Sequence, residues 1–574
     1  MKNFLKNTLS RFLSIILLFI VFFIIVAILI PNEKEVVVKN NSILNIKFDK
    51  AILDRTSSNP LPKLEGLDFS TADNMELKDV LDNIEKAKND DRISGIYLTL
   101  SKVNAGFSQA EEIRKKLIEF KDSGKFIYSY SEGYSQLGYY LSSVADKMFL
   151  NPEGIVEFNG LSAGIMFYKG LLDKIGFDVQ VIRHGKFKSA VEPYMYNEMS
   201  SENREQMEKL LNSISDKIIE GVSEQRNIST SKINEVINKL QLSSAISCKD
   251  LNFVDELKYE DEVISLLEEK SENNILFSEY LEVKTKKENI SDNKIAIIYA
   301  TGGINTGEGS YNTIGSETTV KAIRKAAKDD KVKAIVFRIN SPGGSALASD
   351  IILREINLAK QKKKVVVSMG DYAASGGYYI ACTADKIFAN STTLTGSIGV
   401  FGIIPNSKKL LNEKLGVYID TVNTHKYSDL GRGNRRLTNY EVDVIQKSVE
   451  DIYDVFISHV SGGRGLTKEE VDEIGQGRVW SGIDAKEIGL VDEIGGLEDA
   501  IVSAAELSEI EDYRIITLPK QTDELEELLK GFSVEHNIIL SEFLNVSEET
   551  IKQLEFLKSG DKIQARLPFL LDIR

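Results

Sequence analysis

Cysteine is nearly absent from this 574-residue chain: only Cys248 and Cys382 occur, far apart and among small or apolar neighbours. That leaves no disulfide framework, and both read as core packing residues. Histidine is as scarce, limited to His184, His425, His459 and His536, and no close group of His, Cys and carboxylates forms, which argues against a metal enzyme. The count of 9 prolines argues against long disordered linkers. No Lys/Arg stripe stands out and the formal charge is −15, so nucleic acid is excluded as a partner and the acidity reads as solubility. What is present, 42% hydrophobic and 27% charged residues over this length, is enough for at least two packed domains.

One long apolar run interrupts this ordinary composition. Lys2, Lys6 and Arg11 precede Phe12–Ile30, a stretch with no charge and Ser14 as its one polar residue. As a helix it spans about 28 Å, enough to cross a bilayer core. No small-x-small site follows at Ile28–Asn32, which disfavours a cleaved signal peptide. The positive flank keeps residues 1–11 cytoplasmic and 12–30 becomes a single transmembrane anchor, with the remaining mass on the far side of the membrane.

The rest of the chain repeats. Ile93–Asn104 echoes Val332–Gly343 at an offset of 239 residues, and the same offset relates Lys125–Tyr130 to Lys364–Met369, Gly138–Tyr140 to Gly377–Tyr379 and Ala145–Met148 to Ala384–Ile387. So long a period means duplication of a whole domain. In each copy short apolar strands alternate with amphipathic stretches, in the second copy strand Lys333–Asn340, helix Ala346–Lys360, strand Lys364–Ser368 and helix Ser375–Ala384. That is the pattern of βαβ crossovers on a mostly parallel sheet, an α/β fold. The expected division is a first domain over 45–285, a second over 290–518, and a helical tail of unread role over 519–574.

Chemistry is expected where strand ends meet glycine-rich turns. Asn340–Ser345 (NSPGGS) ends a strand and opens a helix, so its glycines can turn backbone N–H groups outward as an oxyanion hole. Gly370–Tyr379 (GDYAASGGYY) sets Ser375 at a helix start, where a hydroxyl is accessible and the helix dipole favours negative charge. A serine there can also simply cap the helix. At the same offset the first copy has Gln136 for Ser375, and Asn104 and Ala105 for Gly343 and Gly344, so one copy has lost these features. The histidines form no evident Ser/His/Asp set, although His425 remains a candidate base. In the first copy Lys188 lies in Gly185–Pro193 (GKFKSAVEP), among small and apolar neighbours that could bury it and lower its pKa until the neutral amine accepts a proton. The alternative is an ordinary surface lysine.

At these residues the chain resembles the long, duplicated form of the signal peptide peptidase A (protease IV) family, peptidase family S49. The stretches carrying the resemblance are SPGG at 341–344, ASGGYY at 374–379, ADKIFA at 384–389, TLTGSIGVFG at 393–402, KSAVEP at 188–193 and RVWSGIDAKEIGLVDEIGG at 478–496. The resemblance implies tandem ClpP/crotonase-like domains and a cofactor-free serine endopeptidase with a Ser-Lys dyad. It assigns Ser375 as nucleophile, Lys188 as general base, and the backbone N–H groups of Gly344 and Gly376 as the oxyanion hole. It further implies a homo-oligomer, tetrameric, in the bacterial inner membrane with its catalytic domains outside the cytoplasm, degrading cleaved signal peptides. Lys426 lies opposite Lys186 in register and is expected to be noncatalytic. A crotonase-like acyl-CoA enzyme and a noncatalytic membrane scaffold are the competing readings.

Overall fold

The computed structural model describes residues 36–56, 74–283, 291–310, 312–520 and 563–566. The expected anchor at 12–30 lies outside the described residues, and among those described no helix is long and apolar enough to cross a membrane.

The molecule is a mixed α/β structure organised by two parallel sheets of the same design. In the first, the order across the sheet is Glu256–Leu257, Lys147–Val156, Phe126–Tyr134, Ile93–Leu98, Ser42–Ile46 and Asn273–Leu276. In the second the matching path is Glu493–Ile494, Lys386–Ala389, Lys364–Ala374, Val332–Ser341, Lys294–Thr301 and Arg514–Leu518, and Leu394–Gly396 and then antiparallel Val479–Ser481 extend it from the end of Lys364–Ala374. Even an irregularity recurs: the register slips between Ser42 and Ile43 in one sheet and between Lys294 and Ile295 in the other. Strands buried on both faces need continuous apolar sequence, which Ile295–Ala300 and Val365–Val367 supply. Helix Ala346–Lys360 falls where the sequence pattern sets it, with Ser345 Oγ accepting from the Ala348 amide at 3.2 Å as its cap. Helix Gly376–Tyr379, by contrast, is a single turn where a helix over Ser375–Ala384 was expected, and residues 380–385 continue as turns to the strand at Lys386.

A third sheet joins the copies. Its order is Thr313–Gly315, Gly303–Asn305, Gly343–Ser345, Ile563–Arg566, Phe401–Asn406 and Asp178–Arg183. Asp178–Arg183 of the first copy runs antiparallel to Phe401–Asn406 of the second over six residue pairs. The tail, expected to be helical, contributes a strand here: Ile563–Arg566 lies antiparallel between Gly343–Ser345 and Phe401–Gly402. Residues 521–562 and 567–574 lie outside the described residues.

The copies are also locked by charge. Helix Phe107–Asp122 packs on the second copy, where the Glu112 carboxylate accepts from the Leu497 amide at 2.7 Å and from Arg338 at 2.8 Å. Arg338 sits mid-strand, fully buried, and also donates to Asp54 at 2.6 Å. Asp54 accepts from Asn340 as well, and Glu111 accepts from the Thr392 amide at 2.9 Å. A buried guanidinium between two buried carboxylates is matched only while both copies are docked. Arg338→Met, which strands Asp54 and Glu112 in a dry interface, is therefore expected to lower the unfolding free energy by about 3–5 kcal/mol. Urea denaturation followed by circular dichroism measures it; an unchanged midpoint would show that the network contributes nothing.

Candidate active site

Strand Lys364–Ala374 runs into the one-turn helix, and Ser375 occupies the corner between them. Its φ of 56° and ψ of −113° are a conformation side chains rarely adopt, and the Ser375 amide is held by the Gly396 carbonyl at 2.8 Å. Ser375 stands at the N-cap position, yet its hydroxyl makes no capping bond. The first copy shows what capping looks like: Ser135, with φ −66°, accepts from the Gly138 amide, and Gln136, the counterpart of Ser375, accepts from the Gly160 amide. The capping role considered for Ser375 therefore does not account for its geometry.

The Ser375 hydroxyl instead meets Lys188, whose Nζ is 2.8 Å from Oγ. The lysine is 0% exposed, contrary to the surface alternative. It is carried by the segment that follows strand Asp178–Arg183, so the cross-copy sheet delivers it to the second copy's serine. Gly477 makes room for its stem: with φ +83° it lies so close that an added Cβ would come within 2.6 Å of the Lys188 Cβ. Two further acceptors surround Nζ, the Ser397 carbonyl at 3.1 Å and Ser397 Oγ at 2.9 Å. Among the described residues no carboxylate pairs with Lys188. Burial without a counter-charge holds its pKa well below the ordinary lysine value of 10.5. The arrangement suits a neutral amine. Nζ is within hydrogen-bond distance of Ser375 Oγ and of both Ser397 oxygens.

Ser397, with φ 51°, is a residue the sequence reading did not single out, although it lies inside the TLTGSIGVFG stretch. A serine held in the left-handed region to aim its carbonyl and hydroxyl at one amine leaves no mark in hydropathy. Gly344 and Gly376, the expected oxyanion donors, are neighbours: a Cβ built on Gly376 would lie 3.1 Å from the Gly344 amide nitrogen and 3.0 Å from the Ala565 carbonyl oxygen. His425 and Lys426 are exposed, the histidine ring nitrogen meeting Thr424 and the lysine lying over Tyr427, and neither is hydrogen-bonded to Ser375. His184 stacks on Tyr453 and His459 meets Asp350. Both cysteines are free and buried, as the sequence suggests. A cavity of about 1090 Å³ between the copies, lined by Asp54, Gln109, Asn340 and Asp371, includes neither Ser375 nor Lys188.

A buried hydroxyl against a buried lysine whose pKa is pushed well down, beside paired glycines, suits the chemistry of a serine hydrolase. Sequence comparison agrees in class and narrows it. The family model "Peptidase family S49" matches residues 119–274 and 357–511. "Protease 4" of Salmonella typhi is 38% identical over 453 residues, covering 76% of this chain and 73% of that protein. "Serine protease SPPA, chloroplastic" of Arabidopsis thaliana is 33% identical over 510 residues, 86% of this chain and 74% of its own. A "Putative signal peptide peptidase SppA" of Enterococcus faecium is 36% identical over 246 residues, 42% of this chain and 71% of its own. The chain belongs to peptidase family S49. It is a serine peptidase, acts on peptides, and the acyl-CoA and scaffold readings are set aside.

The buried lysine has a stability signature whose sign is fixed. In the unfolded chain it stays protonated up to the ordinary lysine range, whereas in the fold its pKa is depressed. Between the two values the unfolded state binds the extra proton, so stability rises with pH across that window. Lys188→Met, close in shape and uncharged, is expected to be more stable than wild type at pH 7 and to lose that advantage as the pH approaches 10.5. Thermal melts across pH test this; equal stabilities at pH 7 would mean that Lys188 is charged in the fold.

Proposed function

We propose that this peptidase is a membrane-anchored endopeptidase in which Ser375 is the nucleophile and Lys188 the general base, degrading cleaved signal peptides and similar apolar peptides. The observation that carries the dyad is the 2.8 Å Lys188–Ser375 contact in a pocket without a carboxylate partner. Neutral Lys188 takes the Ser375 proton as Oγ attacks the peptide carbonyl. The amides of Gly344 and Gly376 stabilise the oxyanion, and Lys188 returns the proton to the leaving amine. Water then attacks the acyl-enzyme with Lys188 again as base, and no cofactor takes part. In architecture, the two sheets of equal strand order support tandem ClpP/crotonase-like domains, the first (45–285) supplying the lysine and the second (290–518) the serine.

The bacterial relatives fit a bacterial protein, and the apolar run 12–30 supports an anchor in the cytoplasmic membrane with the catalytic domains outside. Signal peptides suit the enzyme because they are apolar and are released in that membrane, and the Enterococcus relative's name points the same way. A homo-oligomer, tetrameric in our reading, is supported by an apolar segment facing solvent: Leu415, Val417, Tyr418, Ile419 and Val422 are all exposed, Val422 at 99%.

Replacing Ser375 or Lys188 by Ala in the full chain is expected to cut hydrolysis of an apolar peptide ester by at least about 10³-fold while circular dichroism stays native. Wild-type kcat/KM should rise with pH as Lys188 loses its proton, with a midpoint below the ordinary lysine range. An active Lys188→Ala variant would place the base elsewhere. Val422→Asp with Tyr418→Glu should shift the detergent-solubilised assembly to a smaller species in light scattering. No change would show that this segment is not an interface.

A further inference from the structure

Lys188 belongs to no strand or helix; a single short turn, Ser189–Val191, follows it. Side chains hold it in place instead. Helix Ser201–Arg226 turns Asn203 and Gln206, three residues apart, to one buried face, each 1% exposed. The Gln206 amide nitrogen lies 3.2 Å from the Phe187 carbonyl oxygen and 2.8 Å from Ser189 Oγ, so it grips the chain on either side of the lysine. Its oxygen accepts from the Val479 amide of the second copy at 3.3 Å. The Val479 N–H can only donate and the Phe187 carbonyl can only accept, and these two partners fix which way the Gln206 amide points. The Lys188 carbonyl is held as well, accepting from Arg183 at 3.0 Å. Both arms meet at Glu192, which is fully buried: its carboxylate lies 3.6 Å from Arg183 and accepts from Asn203 Nδ2 at 2.9 Å, and Asn203 Oδ1 in turn accepts from Gln206 at 3.1 Å.

The choice of Val479 as a partner matters. Residues 476–479 run between the lysine loop and the Ser397 corner: the Gln476 carbonyl accepts from the Phe187 amide at 3.1 Å, the Gly477 amide donates to the Ile398 carbonyl at 2.7 Å, and the Arg478 carbonyl accepts from the Ser397 amide at 2.7 Å. Ser397 then sets its carbonyl and hydroxyl around Nζ. We propose that Gln206 is a positioning residue for the reaction: by joining both flanks of Lys188 to the segment that holds Ser397, it fixes Nζ against Ser375 and keeps the pocket closed to water. This rests on the Ser375–Lys188 reading above, and Gln206 acts through the lysine, not on the substrate. The remaining charged groups packed against the loop are matched or exposed. Arg478 pairs with Glu205 at 2.8 Å and lies 4.6 Å over the Phe187 ring, and exposed Lys186 lies 5.5 Å from the centre of that ring. An apolar side chain at 206 takes this partner from the Phe187 carbonyl, the Ser189 hydroxyl and the Val479 amide in a dry interior. The loop regains those bonds only by admitting water, and the same water hydrates Lys188.

The test compares the full chain in detergent with its Gln206→Met variant, similar in length and shape, in hydrolysis of an apolar peptide ester at pH values up to the ordinary lysine value of 10.5. Gln206→Met should lose about 10- to 100-fold in kcat at pH 7 with KM unchanged, the scale expected of a base displaced by about 1 Å. The midpoint of its kcat/KM profile should move up toward the ordinary lysine range, because a hydrated amine keeps its proton to higher pH, so the loss shrinks as the pH rises. Ser189→Ala, which removes one of the two flanking contacts, should move kcat and midpoint the same way by less. A folded Gln206→Met with wild-type kcat and midpoint overturns the inference, and so does a loss of activity that follows the folded fraction with the midpoint unmoved; the dyad stands in both cases. If Gln206→Met does not fold, Ser189→Ala with wild-type kcat and midpoint overturns it. An active Lys188→Ala variant fails the dyad reading itself, and the role of Gln206 falls with it.

Discussion

The structure turns on keeping one lysine dry and without a counter-charge. An ammonium group in that position would be strongly destabilised, so the amine holds a low pKa only as long as water and carboxylates stay out. Neither copy can arrange this alone. The first provides Lys188 at the end of strand Asp178–Arg183, and the second provides the pocket, through Ser397, Gly399 and Gly477. The docking of the copies is therefore part of the site. Two of the places that achieve it use different physics: the Arg338 network pairs buried charges over a short range, and the cross-copy strand pair fixes register by backbone hydrogen bonds. The first resists separation and the second resists sliding, and a lysine held within 3 Å of a serine on the other copy needs both.

Duplication explains how such a site can arise. Two copies with the same strand order offer two equivalent corners, one at Gln136 and one at Ser375. In the first copy the corner has relaxed into an ordinary capped helix, with Ser135 in extended backbone and the glycine pair replaced by Asn104 and Ala105. In the second the strained φ of Ser375 persists, held by the Gly396 carbonyl and by close contact at Gly376 and Gly377. Strain of this kind survives where the surroundings over-determine it. The first copy carries Lys188, and the second carries Ser375 and has exposed residues, His425 and Lys426, in the segment corresponding to the lysine's.

Much of this was legible in the sequence, for reasons that differ by residue. Strands such as Val332–Ser341 and helix Ala346–Lys360 announce themselves because burial on both faces, or on one, leaves a hydropathy pattern. Ser375, Gly344 and Lys188 could be singled out by comparing the copies with each other, since what one copy keeps and the other loses is visible without any fold. Arg338 could not: a charge inside an apolar strand says nothing about the Asp54 and Glu112 that match it from the other copy. Ser397 and Gly477 were hidden for a second reason, that positive φ is a property of backbone and not of composition. The tail strand was hidden for a third. Residues 563–566, IQAR, are too few to show a period, and their strand conformation is imposed by the two partners that flank them.

That last point bears on how the cleft recognises anything at all. Gly343 and Gly344 present backbone on one side and Phe401 and Gly402 on the other, and Ile563–Arg566 is held between them by its amides and carbonyls. Recognition through the main chain is indifferent to most side chains. The requirement it does impose is an extended conformation, and folded proteins seldom offer one that is unpaired. The constraint that keeps Lys188 dry is met by the same arrangement, because a bound strand excludes water from the dyad while it is there.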